Sequence, residues 1–259
     1  MKIRLDRWLA TLDAGSRSEV KQCIRGGQVT VNGQIILDPS VPFDSEQDIP
    51  GIRGILMDGR LTRHVMLNKP AGLLTAARDA KQPTVMDLLP PVYRKIGCMP
   101  VGRLDKDTTG LLVLTTDGEM NHRLLSPGRH VEKRYLARVQ GIPDIRDVEA
   151  FAQGVSLEDF TCLPARLAIL WKPGEPLPDV PLPFADPEAP LALAEVVIQE
   201  GKYHQVKRMF SAIGHEVVQL HRQSFGPLEL DPGLKAGQWR ELTDEEVFSF
   251  RQAAGMEDI

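Results

Sequence analysis

The chain has only three cysteines, Cys23, Cys98 and Cys162, and they lie far apart. An odd number without a CxxC motif argues against a disulfide framework and against a zinc site. No run approaches the roughly 20 apolar residues of a membrane span, and the N-terminus, MKIRLDRWLA, carries charges where a signal peptide has its apolar core. We therefore expect a cytoplasmic protein without a membrane partner.

Net charge is also small, at −4 over 259 residues, but it is unevenly distributed. Basic residues outnumber acidic ones in 1–43, 121–139 and 201–224, whereas 144–200 holds eleven acids against three bases. Phosphates respond to cations within a Debye length of about 8 Å, so local charge decides nucleic-acid binding. The mean charge therefore does not exclude a nucleic-acid partner.

The first 45 residues are typical of a small helix–helix–hairpin domain. Ser16 and Glu19 form the capping-box pattern that begins the second helix. Asn32-Gly33 then supplies the positive φ values of a two-residue hairpin turn. Residues 46–61 are rich in Gly, Asp and Pro and lack periodicity, which predicts a linker.

Residues 62–259 show strand and helix patterns in irregular alternation. Strand-like runs lie at 64–68, 111–116, 135–139, 191–198 and 216–220, and helical patterns at 84–89, 119–125, 147–153 and 203–213. This order predicts an α+β domain with a mixed, mostly antiparallel sheet. Seven prolines within 173–190 predict an exposed loop.

The densest polar segment, GRLDKDTTG at 102–110, directly precedes an apolar strand. Asp105 and Asp107 could simply shape a turn through side-chain hydrogen bonds. A calcium loop fails because its twelfth position, where a bidentate Glu is required, is Thr116. A phosphotransferase of the D-x-D-x-T type places its nucleophile after a buried strand, whereas here the strand follows the motif.

Two further segments combine cations with aromatic rings. A helix over 203–213 would place Tyr203, Val206 and Phe210 on one face, with Lys207 among the basic residues beside them. Such a run is either a solvated basic face or a cation directed at a carboxylate or phosphate. On the strand EKRYLARV, Tyr135 either packs in the core or stacks on a nucleobase.

Taken together, these segments resemble the RsuA-type ribosomal RNA pseudouridine synthases. The family loop G-R-L-D-x-D-T-x-G-L-L matches 102–112, E-K-x-Y matches 132–135, and G-x-Y-H-Q-V-K-R-M-F matches 201–210. The first domain resembles an S4 RNA-binding domain through R-L-D-x-x-L-A and S-R-x-E-x-x-x-x-I-R-x-G-x-V-T-V-N-G. The motifs occur in the family's order over nearly the whole chain, and the small-subunit (16S) enzymes are the nearest match.

The resemblance implies an isomerisation that detaches uracil from ribose C1′ and rejoins it through C5, which needs no cofactor and no metal. It implies that Asp105 is the nucleophile and that Tyr135 stacks on the uracil. Lys207, with Arg208 as second choice, would keep Asp105 ionised, because a nearby cation lowers a carboxyl pKa. Arg103 would fill the gap that the flipped nucleotide leaves in the RNA.

The remaining basic candidates are assigned to RNA contacts that hold the substrate in register. They comprise Lys69, Lys133, His204 and Arg208 in the larger domain, and Arg17, Lys21 and Arg25 on the second helix. The expected partner of a monomeric protein is thus ribosomal RNA or the assembling small subunit. Two alternatives stay open: a non-catalytic RNA-binding assembly factor, and a synthase acting on large-subunit RNA.

Overall fold

A computed structural model of the chain describes residues 2–12, 15–175, 184 and 191–256. Most of the proline-rich stretch at 173–190 lies outside these ranges, so the predicted exposed loop there is not described. Among the described helices, none has the length and apolar character required to cross a bilayer.

The N-terminal domain contains two helices and two small antiparallel sheets. Its elements are β1 (Lys2–Arg4), α1 (Leu5–Thr11), α2 (Arg17–Arg25), β2 (Val29–Val31), β3 (Gln34–Ile35), β4 (Pro42–Asp44), β5 (Pro50–Ile52) and β6 (Ile55–Leu56). The capping box of Ser16 and Glu19 is present at the start of α2. Asn32 and Gly33 have φ values of 52° and 79° in the turn between β2 and β3, which confirms the hairpin.

The linker predicted for residues 46–61 is wrong, because this segment is part of the N-terminal domain. Strand β5 pairs with β2 and with β6, so four strands form one sheet in the order β3-β2-β5-β6. The Trp8 indole donates a hydrogen bond to the Gly59 carbonyl at 2.8 Å, and Met57 packs against the core of this domain. Strands of two and three residues are too short to show a twofold hydrophobic period, which is why the pattern missed them.

The larger domain is built on a nine-stranded sheet. Its strands are β7 (His64–Lys69), β8 (Met99–Pro100), β9 (Thr109–Thr115), β10 (Lys133–Gln140), β11 (Arg166–Trp171), β12 (Ala192–Ile198), β13 (Glu216–Phe225), β14 (Leu228–Glu229) and β15 (Trp239–Glu241). The main order is β11-β12-β10-β13-β9-β7-β15, with β14 beside β13 and β8 beside β9. All pairs are antiparallel except β13 with β9, so the mixed, mostly antiparallel sheet is confirmed.

Helices cover both faces of this sheet. They are α3 (Pro91–Lys95), α4 (Gly118–Leu125), α5 (Ile145–Gln153), α6 (Gln205–Ala212) and α7 (Asp244–Ala253). Leu112 and Leu114 of β9 pack with Phe151 of α5 and Phe210 of α6. The alternate residues of β9 pack instead with α4 and α7. The continuous apolar run of β9 therefore reflects burial on both faces.

The parallel contact between β9 and β13 depends on Gly110. This residue has φ +100° and lies opposite Arg222 in the register. A Cβ here would lie 2.8 Å from the backbone N of Arg222 and still closer to its carbonyl O. Only glycine permits this approach, which brings the loop before β9 beside the middle of β13.

We predict that Gly110→Ala lowers the free energy of unfolding by about 2–4 kcal/mol, because it combines a backbone clash with an unfavourable φ. Urea unfolding measures the effect. Gly118→Ala is the matched control, since a Cβ at Gly118 meets nothing within 4 Å and alanine favours the helix. Equal stability of the two variants would contradict the close-approach argument.

Candidate active site

The loop before β9, residues 101–108, is held in place by a buried lysine. Lys69 is 0% exposed, and its Nζ donates hydrogen bonds to the carbonyls of Pro70, Lys106 and Thr108 at 3.0, 3.1 and 2.9 Å. Burial lowers the pKa of Lys69 to about 8, although the Asp107 and Asp105 charges oppose this. The RNA contact predicted for Lys69 is therefore wrong, because the side chain has no exposed surface and all three ammonium hydrogens are used within the protein.

Thr75 fixes the same loop immediately before Asp105. Its hydroxyl donates to the Leu104 carbonyl at 2.7 Å and accepts from the Leu104 amide at 3.2 Å. Leu104 packs into the core. The backbone on either side of Asp105 is thus anchored, which leaves its carboxylate at a defined position.

Asp105 faces two basic side chains and is partly exposed. Its carboxylate lies 3.4 Å from His204 Nε2 and 3.8 Å from Lys207 Nζ, with 26% of the side chain exposed. Lys207 lies closer to Asp107, at 2.6 and 2.7 Å from its two oxygens. Burial raises the pKa of Asp107, but the hydrogen bond and charge of Lys207 outweigh it and the net pKa is lowered. The Lys207 ammonium therefore lies within ion-pair distance of both carboxylates.

Arg208, the second choice for the cation beside Asp105, points elsewhere. It forms an ion pair with Asp159, and its guanidinium lies 5.3 Å from the centroid of the Phe160 ring. Its side chain remains 28% exposed. The structure therefore favours Lys207 over Arg208 as the neighbour of Asp105.

Tyr135 and Lys133 of β10 line the same cleft as Asp105, as expected from their spacing on one side of a strand. Tyr135 is only 7% exposed. Lys133 Nζ donates to the Val131 carbonyl at 2.8 Å and lies 5.2 Å from the Phe225 ring centroid. Burial and, to a smaller extent, the nearby Arg222 charge together lower the pKa of Lys133 to about 8.

The cleft has a volume of about 810 Å³, within the usual range of ligand sites. Its lining includes Arg103, whose side chain is exposed at the rim. A smaller hollow of about 60 Å³ lies against Asp105 and Tyr135, with Val206 and Leu220 as apolar walls. Within the described ranges, no three His, Cys, Asp or Glu side chains gather as a set of metal ligands.

Sequence reasoning missed Arg222, which lines the cleft from β13 although it is 2% exposed. Its Nε donates to the Leu111 carbonyl at 2.8 Å, whereas Nη2 is buried without a partner. The guanidinium lies 5.0 Å from the Phe225 ring centroid. Arg222 lies among polar neighbours in the sequence HRQS of β13, so no local pattern marks it as buried.

Arg17, Lys21 and Arg25 are all exposed on α2. They recur every four residues and therefore form one basic ridge along the helix. The ridge is accessible to a large polyanion, but the RNA contact itself remains a prediction.

Two family models match the chain: RNA pseudouridylate synthase over residues 63–212 and the S4 domain over residues 3–49. The chain is 38% identical to ribosomal small subunit pseudouridine synthase A of Pseudomonas aeruginosa, over 95% of this chain and 100% of that protein. It is 39% identical to the uncharacterised RNA pseudouridine synthase YtzG of Bacillus subtilis, over 95% and 97% of the two chains. A crystal structure of a pseudouridylate synthase superposes with a TM-score of 0.62 at 34% identity, covering 96% and 99% of the two chains.

Burial of Lys69 predicts a specific pH dependence of stability. Its pKa falls from 10.5 to about 8 on folding, so the unfolded chain binds more protons between these values and stability rises with pH across the interval. Relative to Lys69→Met, the protein should gain up to about 3 kcal/mol in free energy of unfolding between pH 8 and 10.5.

Urea unfolding of both proteins at several pH values in this interval measures the difference. Lys133, whose pKa is also about 8, is present in both proteins and its contribution cancels. Parallel pH profiles would show that Lys69 does not titrate in this range.

Proposed function

The chain belongs to the RNA pseudouridylate synthase family, as an isomerase that converts uridine in RNA to pseudouridine, and we propose that its substrate is one uridine of small-subunit (16S) ribosomal RNA. Relatives that match 95% of the chain and carry the name ribosomal small subunit pseudouridine synthase support this substrate. Nothing in the site or among these relatives favours a large-subunit substrate or a non-catalytic assembly factor.

In the proposed mechanism Asp105 is the nucleophile, and the observation that carries this role is the anchored carboxylate facing Lys207 and His204. The ammonium of Lys207 lies 3.8 Å from this carboxylate, close enough for a direct charge–charge attraction. Because Lys207 also binds Asp107, it has little freedom to swing away. The carboxylate is thus held at a defined position beside a cation.

The bonds rearrange within one nucleotide. The N1–C1′ bond breaks, a C5–C1′ bond forms, C5 loses a proton and N1 gains one. The net composition is unchanged, so we propose that neither metal nor organic cofactor takes part. Tyr135, at the wall of the small hollow beside Asp105, would hold the uracil by stacking while it rotates.

A uridine within folded RNA reaches this carboxylate only when it leaves its stack, at a cost of a few kcal/mol. Arg103 is exposed at the rim of the cleft, where it would enter the vacated position in the RNA. The RNA around the cleft would be contacted by Lys133, His204 and Arg208. Helix α2 would bind phosphates of the RNA that lie away from the cleft. We propose that the protein acts as a monomer, and the proposed ribosomal substrate supports a cytoplasmic location.

We predict that a strain lacking this protein loses one pseudouridine in small-subunit ribosomal RNA. The wild-type gene should restore it, and Asp105→Asn should not, with activity reduced at least about 1,000-fold because the amide cannot act as a nucleophile. Pseudouridine mapping of both ribosomal RNAs provides the measurement.

Asp79→Asn is the matched control. Asp79 lines the same cleft but its carboxylate binds the backbone amides of Lys81 and Gln82. The Asp79→Asn variant should therefore restore the lost pseudouridine. Full activity of Asp105→Asn would refute the nucleophile, and loss of a large-subunit pseudouridine would refute the substrate.

We predict that replacing Arg17, Lys21 and Arg25 together by alanine weakens RNA binding and flattens its salt dependence. Each lost phosphate contact reduces the slope of log K against log salt by about 0.7–0.9, so three contacts amount to about 2–3. Filter binding between 50 and 200 mM salt tests this. Arg146→Ala, which removes an exposed arginine paired with Asp144, should leave the slope unchanged. An unaltered slope in the triple variant argues against the docking role.

A further inference from the structure

Tyr203 lies in the open, although the sequence pattern grouped it with the apolar face of a helix. The helix begins only at Gln205, so Tyr203 precedes it and is not held to that face. At 75% exposure, it exceeds every other large apolar or aromatic side chain in the described part of the chain. An isolated exposed ring is ordinary on a protein surface, but this one lines the cleft that contains Asp105.

The ring of Tyr203 is supported from behind by His204. The two ring centroids are 3.9 Å apart and the planes differ by 15°, which is a parallel stack. His204 also reaches Asp105, with Nε2 at 3.4 Å from the carboxylate. One face of Tyr203 is thus covered and oriented by the active-site histidine. The high exposure of Tyr203 shows that most of the remaining ring surface faces solvent.

The backbone holds this stack in position. His204 has φ 49° and ψ 32°, a left-handed conformation that non-glycine residues adopt where their surroundings impose it. The buried side chain of Gln205 accepts from the Lys202 amide at 3.0 Å and donates to Glu200 at 2.6 Å. The segment is therefore pinned on both sides of the two rings and presents them in one orientation.

Charge around the stack suits a polyanion. Arg103, Lys106 and Lys202 line the same cleft as Tyr203. Lys202 Nζ lies 3.6 Å from the Phe160 ring centroid and 3.8 Å from Glu200, and these contacts restrain its ammonium. An aromatic face flanked by cations is the arrangement that binds single-stranded nucleic acid, since every base offers a face for stacking and every nucleotide a phosphate.

We propose that Tyr203, supported by His204, is a stacking platform for an unpaired base next to the flipped uridine. The proposal rests on the proposed function. Because His204 contacts both Asp105 and the inner face of Tyr203, the outer face receives a neighbour of the reacting nucleotide rather than the reacting uracil. Stacking of that neighbour would keep the strand open while the uridine occupies the cleft, and it makes Tyr203 a positioning residue.

The test is a double-mutant cycle between the protein ring and an RNA base. RNA fragments containing the mapped uridine are made with an abasic nucleotide at each of the two positions on either side. Binding of each fragment is measured for the wild type, Tyr203→Ala and Tyr203→Phe. Loss of one stacked base corresponds to about 5- to 150-fold in affinity.

We expect Tyr203→Ala to weaken binding of the intact fragment within that range, and Tyr203→Phe to stay within about twofold of the wild type. One abasic position should weaken wild-type binding to a similar degree and have no further effect on Tyr203→Ala. Phe248→Ala is the control, because Phe248 is an exposed ring, at 46%, on α7. It should bind normally.

Three outcomes would overturn the proposal. Tyr203→Ala could bind the RNA normally, or the affinity losses from Tyr203→Ala and from the abasic nucleotide could add at all positions. Tyr203→Phe could also lose as much affinity as Tyr203→Ala, which would indicate a contact through the hydroxyl. Each of these presupposes that the wild-type protein modifies the mapped uridine. Failure of the wild type to form pseudouridine in ribosomal RNA would instead refute the proposed function itself, so the two failures are distinguishable.

Discussion

The buried ammonium of Lys69 is the interaction on which the site depends. It stands at the end of β7 and binds three backbone carbonyls, two of them in the loop that carries Asp105. A loop rich in polar residues would ordinarily be mobile, and here a charge-assisted set of hydrogen bonds holds it against the sheet. Burying a lysine is costly. The three hydrogen bonds offset part of this cost and hold the loop of Asp105 in one arrangement.

Around this loop the charges are arranged in local pairs rather than as a uniform basic surface. Lys207 contacts Asp105 and Asp107, and Arg208 pairs with Asp159. On the cleft wall, Lys133 and Arg222 bind backbone carbonyls instead of carboxylates. A protein with a net charge of −4 can therefore present a positive cleft to RNA. Its acidic segments limit non-specific binding elsewhere on the surface.

Much of the fold was predictable from short-range signals. The capping box at Ser16 lies where the sequence places it, and the Asn32-Gly33 turn forms the expected hairpin. Each depends on contacts between residues a few positions apart. The strands β5 and β6 were not predictable in this way, because they are too short to show a period. Strand β5 pairs with β2, more than 15 residues earlier, and β6 pairs with β5.

For the site, the sequence by itself determined the reaction class, since the order of residues from Arg103 to Gly110 and from Gly201 to Phe210 identifies the family. Only the tertiary structure decided which charges meet: Lys207 and Asp107 are 100 residues apart in the chain, and neighbouring Arg208 turns to another acid. It also decided that Lys69 is buried and Tyr203 exposed. Motifs report which chemical groups are present, whereas burial and pairing are set by long-range packing of strands and helices, which no local pattern encodes.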